Sequence, residues 1–169
     1  MIFLIGYRGT GKSTVARLLG ARLGWDWRDA DAVLEAKFGR SIADIFQMDG
    51  EAEFREMEAA VLVELCKLSC VVIATGGGIV LGEKNRELMR RTGRVVWLTA
   101  DHDTIWNRMQ ADAAEGRSRP ALTIGGRAEI DELLAAREPL YRECAEFSVE
   151  TTERTPAEVA DEIVCRIKV

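Results

Sequence analysis

The chain lacks a basic excess. Its 169 residues carry 23 lysines and arginines against 28 aspartates and glutamates, a formal net charge of -5. That balance argues against nonspecific binding to nucleic acid or to an anionic membrane surface, because either polyanion wants a basic face. A run of roughly 20 apolar residues, the length a membrane span needs, is missing as well. The apolar stretch "MIFLI" at 1–5 runs straight into a glycine-rich loop, so neither a cleavable signal nor a span is expected, and the cytoplasm is the expected location. No CxxC pair occurs among Cys66, Cys70, Cys144 and Cys165. In their apolar or helical contexts they read as buried reduced thiols rather than disulfides or metal ligands. The single histidine, His102 in "ADHD", has no partner base, metal cluster or nucleophile in view, which sets it aside for catalysis. The tryptophans, Tyr7 and Tyr141 read as packing residues.

What is present fits one α/β domain. A composition of 47% hydrophobic and 30% charged residues is ordinary for a globular protein, and 169 residues suffice for one core. "MIFLI", "VVIAT" at 71–75 and "RVVWL" at 94–98 are nearly continuous apolar runs, as expected for parallel strands covered by helices on both faces. "WDWRD" at 25–29 and "EFSVE" at 146–150 read as two further strands. Helical spacing follows Lys12 up to Gly24, fills 52–68 with Phe54, Met57, Val61, Leu65 and Leu68, and recurs at 83–91, from Asp101 to about Ala114, and after Pro156. Two stretches depart from this βα alternation. Residues 31–60 insert extra helical material, and 115–126, "EGRSRPALTIGG", read as a flap.

The most informative stretch is "GYRGTGKST" at 6–14. Glycines at 6, 9 and 11 let backbone amides approach an anion, and the helix opening at Lys12 adds its unpaired N–H groups. Set between an apolar strand and a helix, Gly9, Thr10, Gly11, Lys12, Ser13 and Thr14 form a nucleotide-phosphate loop, with Lys12 reaching the β and γ phosphates and Ser13 placing its hydroxyl on magnesium. For Arg8, phosphate contact and a solvated loop cation both stay open.

Other residues gather at the carboxyl edge of the strands, where open α/β sheets bind ligands. In "RDAD", Asp29 is placed to hold a magnesium-bound water and Asp31 to face an acceptor hydroxyl, unless Asp31 only caps a helix starting at Ala32. Glu58 can brace Arg55 at i,i+3 and aim its guanidinium at a ligand carboxylate; a plain surface ion pair is the alternative. Gly76, Gly77 and Gly78 in "ATGGGIV" imply a tight turn or a ligand packed on bare backbone. Pro139 in "AAREPLY" is expected to kink or restart a helix near Arg137. On the flap, Arg119 beside Pro120 is preferred over Arg117 as the cation that closes over ATP. Asn107 and Arg108 either face the nucleotide or the solvent.

Taken together, "GYRGTGKST", "DAD" at 29–31, "GRSIADIFQMDGEAEFREME", "TGGGIV", "RPALT" and "REPLY" resemble, in order and spacing, the shikimate kinase family. The resemblance spans nearly the whole chain. It implies a nucleoside-monophosphate-kinase-like three-layer fold: a five-stranded parallel sheet, a helical substrate-binding insert at about 31–60 and a lid at about 115–126, all in one kinase domain over 1–169. It also implies transfer of the ATP γ-phosphoryl group to the 3-hydroxyl of shikimate. By that resemblance, Asp31 meets the reacting hydroxyl, Arg55 and Arg137 bind the carboxylate, and Gly77 and Gly78 line the acceptor, with Gly76 taken beside them from the triple glycine itself. Ser13 and, through water, Asp29 hold Mg2+; Arg119 is the lid arginine, and Arg154 lies near the nucleotide base, with Arg108 kept as a nucleotide-side candidate from the helix reading. The family's lid commonly reads Arg-Pro-Leu, whereas Ala121 here separates Pro120 from Leu122. The expected partners are shikimate and ATP, with no nucleic acid and no membrane, and the chain is expected to act as a monomer. Two other readings stay open: a kinase for another acceptor, such as gluconate or a nucleoside monophosphate, and a nucleotide-binding module without transfer activity.

Overall fold

Alternation along one short strand organises the molecule. In β1 (Ile2–Ile5), Phe3 and Ile5 face one side and Ile2 and Leu4 the other, and all four are fully buried. A strand buried on both faces needs helices on both, and the computed structural model, which describes residues 1–114 and 126–167, has them. The chain runs β1, α1 (Lys12–Leu23), β2 (Asp26–Asp29), α2 (Ala30–Phe38), α3 (Ile42–Met48), α4 (Gly50–Leu65) and β3 (Val71–Ala74). It continues through α5 (Glu83–Thr92), β4 (Arg94–Thr99), α6 (His102–Ala114), α7 (Gly126–Cys144), β5 (Phe147–Glu150) and α8 (Pro156–Ile167). The strands form a parallel sheet in the order β2-β3-β1-β4-β5. This is the three-layer, five-stranded arrangement that the resemblance implies.

One face of the sheet buries Ile2, Leu4, Val72 and Val96 under α1 and α8, through Val15, Leu19, Val159 and Ile163. The opposite face buries Phe3, Ile5, Ile73 and Val95 under α2, α3, α4, α5 and α7, through Leu34, Ile45, Val61, Met89 and Tyr141. Burying each such side chain contributes about 1.5–3 kcal/mol, which is why these positions fix the layering. A smaller cluster of Tyr7, Ile105 and Ile130 ties the loop after β1 to α6 and α7.

Several local expectations need correction. The strand at 25–29 hands over to a helix at Ala30, two residues earlier than a helix starting at Ala32. Asp29 is the N-cap, its carboxylate accepting from the Asp31 and Ala32 amides at 3.0 and 3.2 Å, so Asp31 lies in the first turn of α2 and does not cap it. The long stripe ends at Leu65, and Leu68 beyond it is 41% exposed. Pro139 lies inside α7, which runs from Gly126 to Cys144 with no restart at Arg137. The lost backbone bond is offset by burial of Tyr141 and Cys144 just beyond it. Among the cysteines, Cys144 is buried and Cys66 half-buried, but Cys70 and Cys165 are exposed, against the expectation of four buried thiols. The flap residues Arg117, Arg119 and Pro120 lie outside the described residues.

Candidate active site

The loop after β1 is shaped by glycine. Gly11 is the N-cap of α1 at φ 84, a left-handed conformation that side chains disfavour. It brings no side-chain acceptor to the helix, and the first turn holds no acidic residue. The opening N–H groups of α1 therefore keep their demand for an anion, which the helix dipole reinforces. Thr10 Oγ1 and Lys12 Nζ both donate to the Tyr7 carbonyl, at 2.8 and 2.7 Å, and close the loop on itself. Ser13 Oγ donates to Asp29 Oδ2 at 2.5 Å, so the same carboxylate that caps α2 with one oxygen meets the loop hydroxyl with the other.

This loop forms one wall of a cavity of about 530 Å³. Residues Gly9, Thr10, Gly11, Lys12, Ser13 and Thr14 line it, with Asp29, Arg108 and Arg154. Arg108 acts as a clamp: its guanidinium donates to the Gly9 carbonyl at 3.1 Å and to the Thr151 hydroxyl and carbonyl at 3.0 and 2.8 Å. It thus ties the phosphate loop to the turn after β5. Arg154 is held by the Glu150 carbonyl at 3.2 Å and by Glu162, and it lines the cavity together with Pro156 and Val159. Asn107, weighed together with Arg108, is not part of the wall.

A second, smaller cavity adjoins the first. It collects Asp31 from α2, Phe54, Arg55 and Glu58 from α4, Gly76, Gly77 and Gly78 after β3, Arg137 from α7, and Tyr7. Asp31 and Glu58 are only 3% and 4% exposed, unusual for carboxylates. Arg55 donates to Glu58 Oε2 at 2.8 Å and to Glu51 at 3.0 Å, while its guanidinium lies 5.0 Å over the Phe54 ring. Burial pushes the Glu58 carboxyl above the usual range, with Arg55 pulling the other way. The Arg137 guanidinium lies over the Tyr7 ring, 5.8 Å from its centroid. Burial also raises the Tyr141 phenol, whose hydroxyl donates to the Gly77 carbonyl and fixes the middle of the triple glycine.

The glycines are demanded by crowding. A Cβ on Gly76 would lie 2.7 Å from Glu58 Oε1 and 2.8 Å from Asp31 Oδ1, and one on Gly78 only 2.5 Å from an Arg55 nitrogen. Side chains that carry the charge of this cavity lean against bare backbone. Among the described residues, the buried side-chain polar atoms with no hydrogen-bond partner are the Tyr7 hydroxyl and Glu58 Oε1, and both residues line this cavity. Such atoms are rare, and a polar ligand is a natural partner.

The structure thus brings Asp31, Arg55, Gly76, Gly77, Gly78 and Arg137 together in one cavity and Lys12, Ser13, Asp29, Arg108 and Arg154 in the next. Sequence reasoning missed that Tyr7 and Tyr141 do more than pack, and that Ile42 and Ala43 of "SIADIF" wall the smaller cavity. The position of that motif in the insert was the available signal. His102 has a partner after all: its Nδ1 lies 2.5 Å from Asp131 Oδ1. The pair is half-exposed and borders neither cavity.

Comparison with known proteins agrees with this geometry. The family model described as "Shikimate kinase" matches residues 8–168. A shikimate kinase of Pseudomonas syringae pv. tomato is 43% identical over 167 residues, covering 98% of this chain and 95% of that relative. One from Chromohalobacter salexigens is 44% identical over 168 residues, covering 99% and 91%. The solved "Shikimate kinase from Acinetobacter baumannii in complex with shikimate" superposes with a TM-score of 0.91 at 34% identity, covering 99% of this chain and 92% of that one. The enzyme from Aquifex aeolicus gives a TM-score of 0.78 at 33% identity, covering 99% and 95%. With sequence, family model and three-dimensional superposition converging over nearly its full length, the chain belongs to the shikimate kinase family.

Proposed function

We propose that the larger cavity takes ATP and the smaller one shikimate, and that the residues gathered in each perform one phosphoryl transfer. As a member of its family, the chain transfers the γ-phosphoryl group of ATP to the 3-hydroxyl of shikimate, giving ADP and shikimate 3-phosphate. The observation that carries the assignment of residues is the pairing of an anion-seeking loop with a cavity lined by the guanidinium groups of Arg8, Arg55 and Arg137 and the buried carboxylates of Asp31 and Glu58. Guanidinium forks match the acceptor carboxylate, and Asp31 accepts from neutral hydroxyls. Gly76, Gly77 and Gly78 let the ring approach the backbone.

The donor set at Ser13 and Asp29 fits a hard divalent cation such as Mg2+. Two oxygen side chains already meet there at 2.5 Å, and among the described residues no group of three or more acidic, histidine or cysteine side chains builds an all-protein cage. Mg2+ characteristically takes few protein ligands and completes its shell with phosphate oxygens and water. When bound, it supplies charge neutralisation on the phosphate oxygens. Lys12 and Arg119 draw negative charge onto the transferring group, Thr10, Thr14 and the loop amides hold the nucleotide, and Arg108 and Arg154 border it. The bond from the acceptor oxygen to γ-phosphorus forms as the bond to the β-phosphate oxygen breaks, its electron pair leaving on ADP. The hydroxyl proton passes to Asp31. Residues 1–169 form one kinase domain, with 31–60 as acceptor-binding insert and 115–126 as lid. A cytoplasmic monomer without nucleic-acid or membrane partners suits a chain of net charge -5 that lines both cavities by itself.

The test is a coupled ADP-release assay with shikimate, gluconate and AMP side by side, on the parent and on Asp31→Asn. Only shikimate is expected to drive turnover, and D31N is expected to lose about 100-fold or more in kcat with the ATP KM retained. Turnover with gluconate or AMP instead, or a D31N variant within a few-fold of the parent, contradicts the assignment.

A further inference from the structure

The two cavities share a border, and the residues on it are few. Of the residues that line each cavity, Arg8 and Gly77 line both. Gly77 offers only backbone, and a Cβ built there would sit 3.6 Å from the Arg8 amide nitrogen, so the two positions face each other across the seam. Among the described residues, Arg8 is therefore the charged side chain common to both linings.

Its other distinction is that no described residue engages it. Arg55 is engaged by Glu51 and Glu58, Arg108 by Gly9 and Thr151, and Arg154 by Glu150 and Glu162. Arg8 is half-buried and has no hydrogen bond or ion pair with another described residue. A guanidinium carries five donors, and at this border none of them is spent on another described residue. Lys12, by contrast, is anchored to the Tyr7 carbonyl on the nucleotide side of the same loop.

We infer that Arg8 is a further catalytic residue, its guanidinium contacting the phosphoryl group while it crosses from one cavity to the other. This rests on the assignment of ATP and acceptor to the two cavities. In a loose transfer the phosphoryl group sits between donor and acceptor oxygens, with charge spread over its three equatorial oxygens. A cation that borders only the nucleotide is left behind as the group moves; a cation on the border gains contact in the transition state. That difference raises kcat and leaves ground-state binding of either substrate largely unchanged.

The experiment compares the parent with Arg8→Ala, Arg8→Met and Arg8→Lys. It measures kcat, equilibrium binding of ADP and of shikimate, thermal melting, and turnover with added guanidinium ion. Loss of one preorganised charge contact of this kind lowers kcat by about 100- to 1000-fold. R8A and R8M are expected to fall in that range, with ADP and shikimate affinities within about threefold of the parent. Guanidinium is expected to restore part of kcat in R8A, and less in R8M, where the side chain fills the space. R8K is expected to fall between parent and R8A, because a point charge replaces the fork. Three results each overturn the inference: kcat within threefold of the parent in both R8A and R8M, a loss confined to shikimate or ADP affinity, or a loss of kcat that guanidinium does not relieve in R8A of normal melting temperature. If R8A melts lower than the parent, R8K and R8M decide by the same affinity and kcat criteria. A parent that turns over no shikimate overturns the acceptor assignment first, and this inference with it.

Discussion

Gly78→Ala isolates what the triple glycine does. At φ -97 and ψ 0 the Gly78 backbone is open to alanine, so the substitution adds no backbone strain. The added methyl would lie 2.5, 2.6 and 2.7 Å from the three guanidinium atoms Nη1, Nη2 and Cζ of Arg55. Ordinary carbon contacts begin near 3.5 Å, so the guanidinium must retreat by roughly 1 Å. Arg55 is a long side chain with solvent on one flank, and it can do so without moving the backbone. What it loses is the 2.8 Å bond to Glu58 and its aim into the cavity. A hydrogen bond involving a charged group contributes about 1.5–3 kcal/mol. As the guanidinium swings away from the acceptor carboxylate, the shikimate KM should rise by about 10- to 150-fold with the ATP KM close to that of the parent, while loss of the Glu58 bond lowers the melting temperature. The assay is steady-state kinetics on Gly78→Ala, Arg55→Ala and the double variant. If the methyl acts through Arg55, adding it to Arg55→Ala costs little more. Additive losses would show that the methyl simply blocks the cavity, and an unchanged shikimate KM in Gly78→Ala would refute the reasoning outright.

Three further outcomes are expected. Asp29 caps α2 with one oxygen and meets Ser13 with the other, so two variants separate its roles. Asp29→Asn keeps a capping side chain and should retain its melting temperature while weakening Mg2+-dependent ADP binding. Asp29→Ala should lose both, about 1 kcal/mol of stability included, by calorimetry and metal titration. Glu58 is raised above its ordinary value of 4.5 by burial, so the native state keeps this proton after the unfolded chain has released it. Its contribution to stability is full below about pH 4.5 and declines as pH climbs through the raised native value. The melting temperature of the parent relative to Glu58→Gln should therefore fall across that window, and a flat difference would refute the assignment. Thiol titration of the native protein with a disulfide reagent should show two fast groups, Cys70 and Cys165. Cys66 should follow slowly, and Cys144, pushed up to about 11 by burial, should react only on unfolding.

Particular residues mark where sequence reasoning stops. The phosphate loop was legible because its chemistry is local: glycine spacing, lysine and serine all act within one turn of chain, and the apolar runs on either side are visible as such. The strand order could not be read, since the β2-β3-β1-β4-β5 arrangement depends on which apolar faces meet after each crossover. Asp31 was legible as a candidate, but its address was not. Whether it ends a strand or starts a helix depended on Asp29 turning back to cap, a contest between two local hydrogen-bond patterns that composition does not settle. Pro139 gives the opposite lesson: a strong local breaker was overruled by the burial of Tyr141 and Cys144.

The sequence alone determined the layering, the anion-binding loop and the types of charge available, because these follow from periodicities and motifs a few residues long. Only the tertiary structure decided which charges meet. Residues 31, 55, 76–78 and 137 are far apart along the chain, and it is the parallel sheet, by bringing its strands' carboxyl ends to one edge, that packs them against the loop. The triple glycine records that convergence most directly: a spacing of three small residues is plain in the sequence, yet the guanidinium and carboxylates that require it arrive from elsewhere.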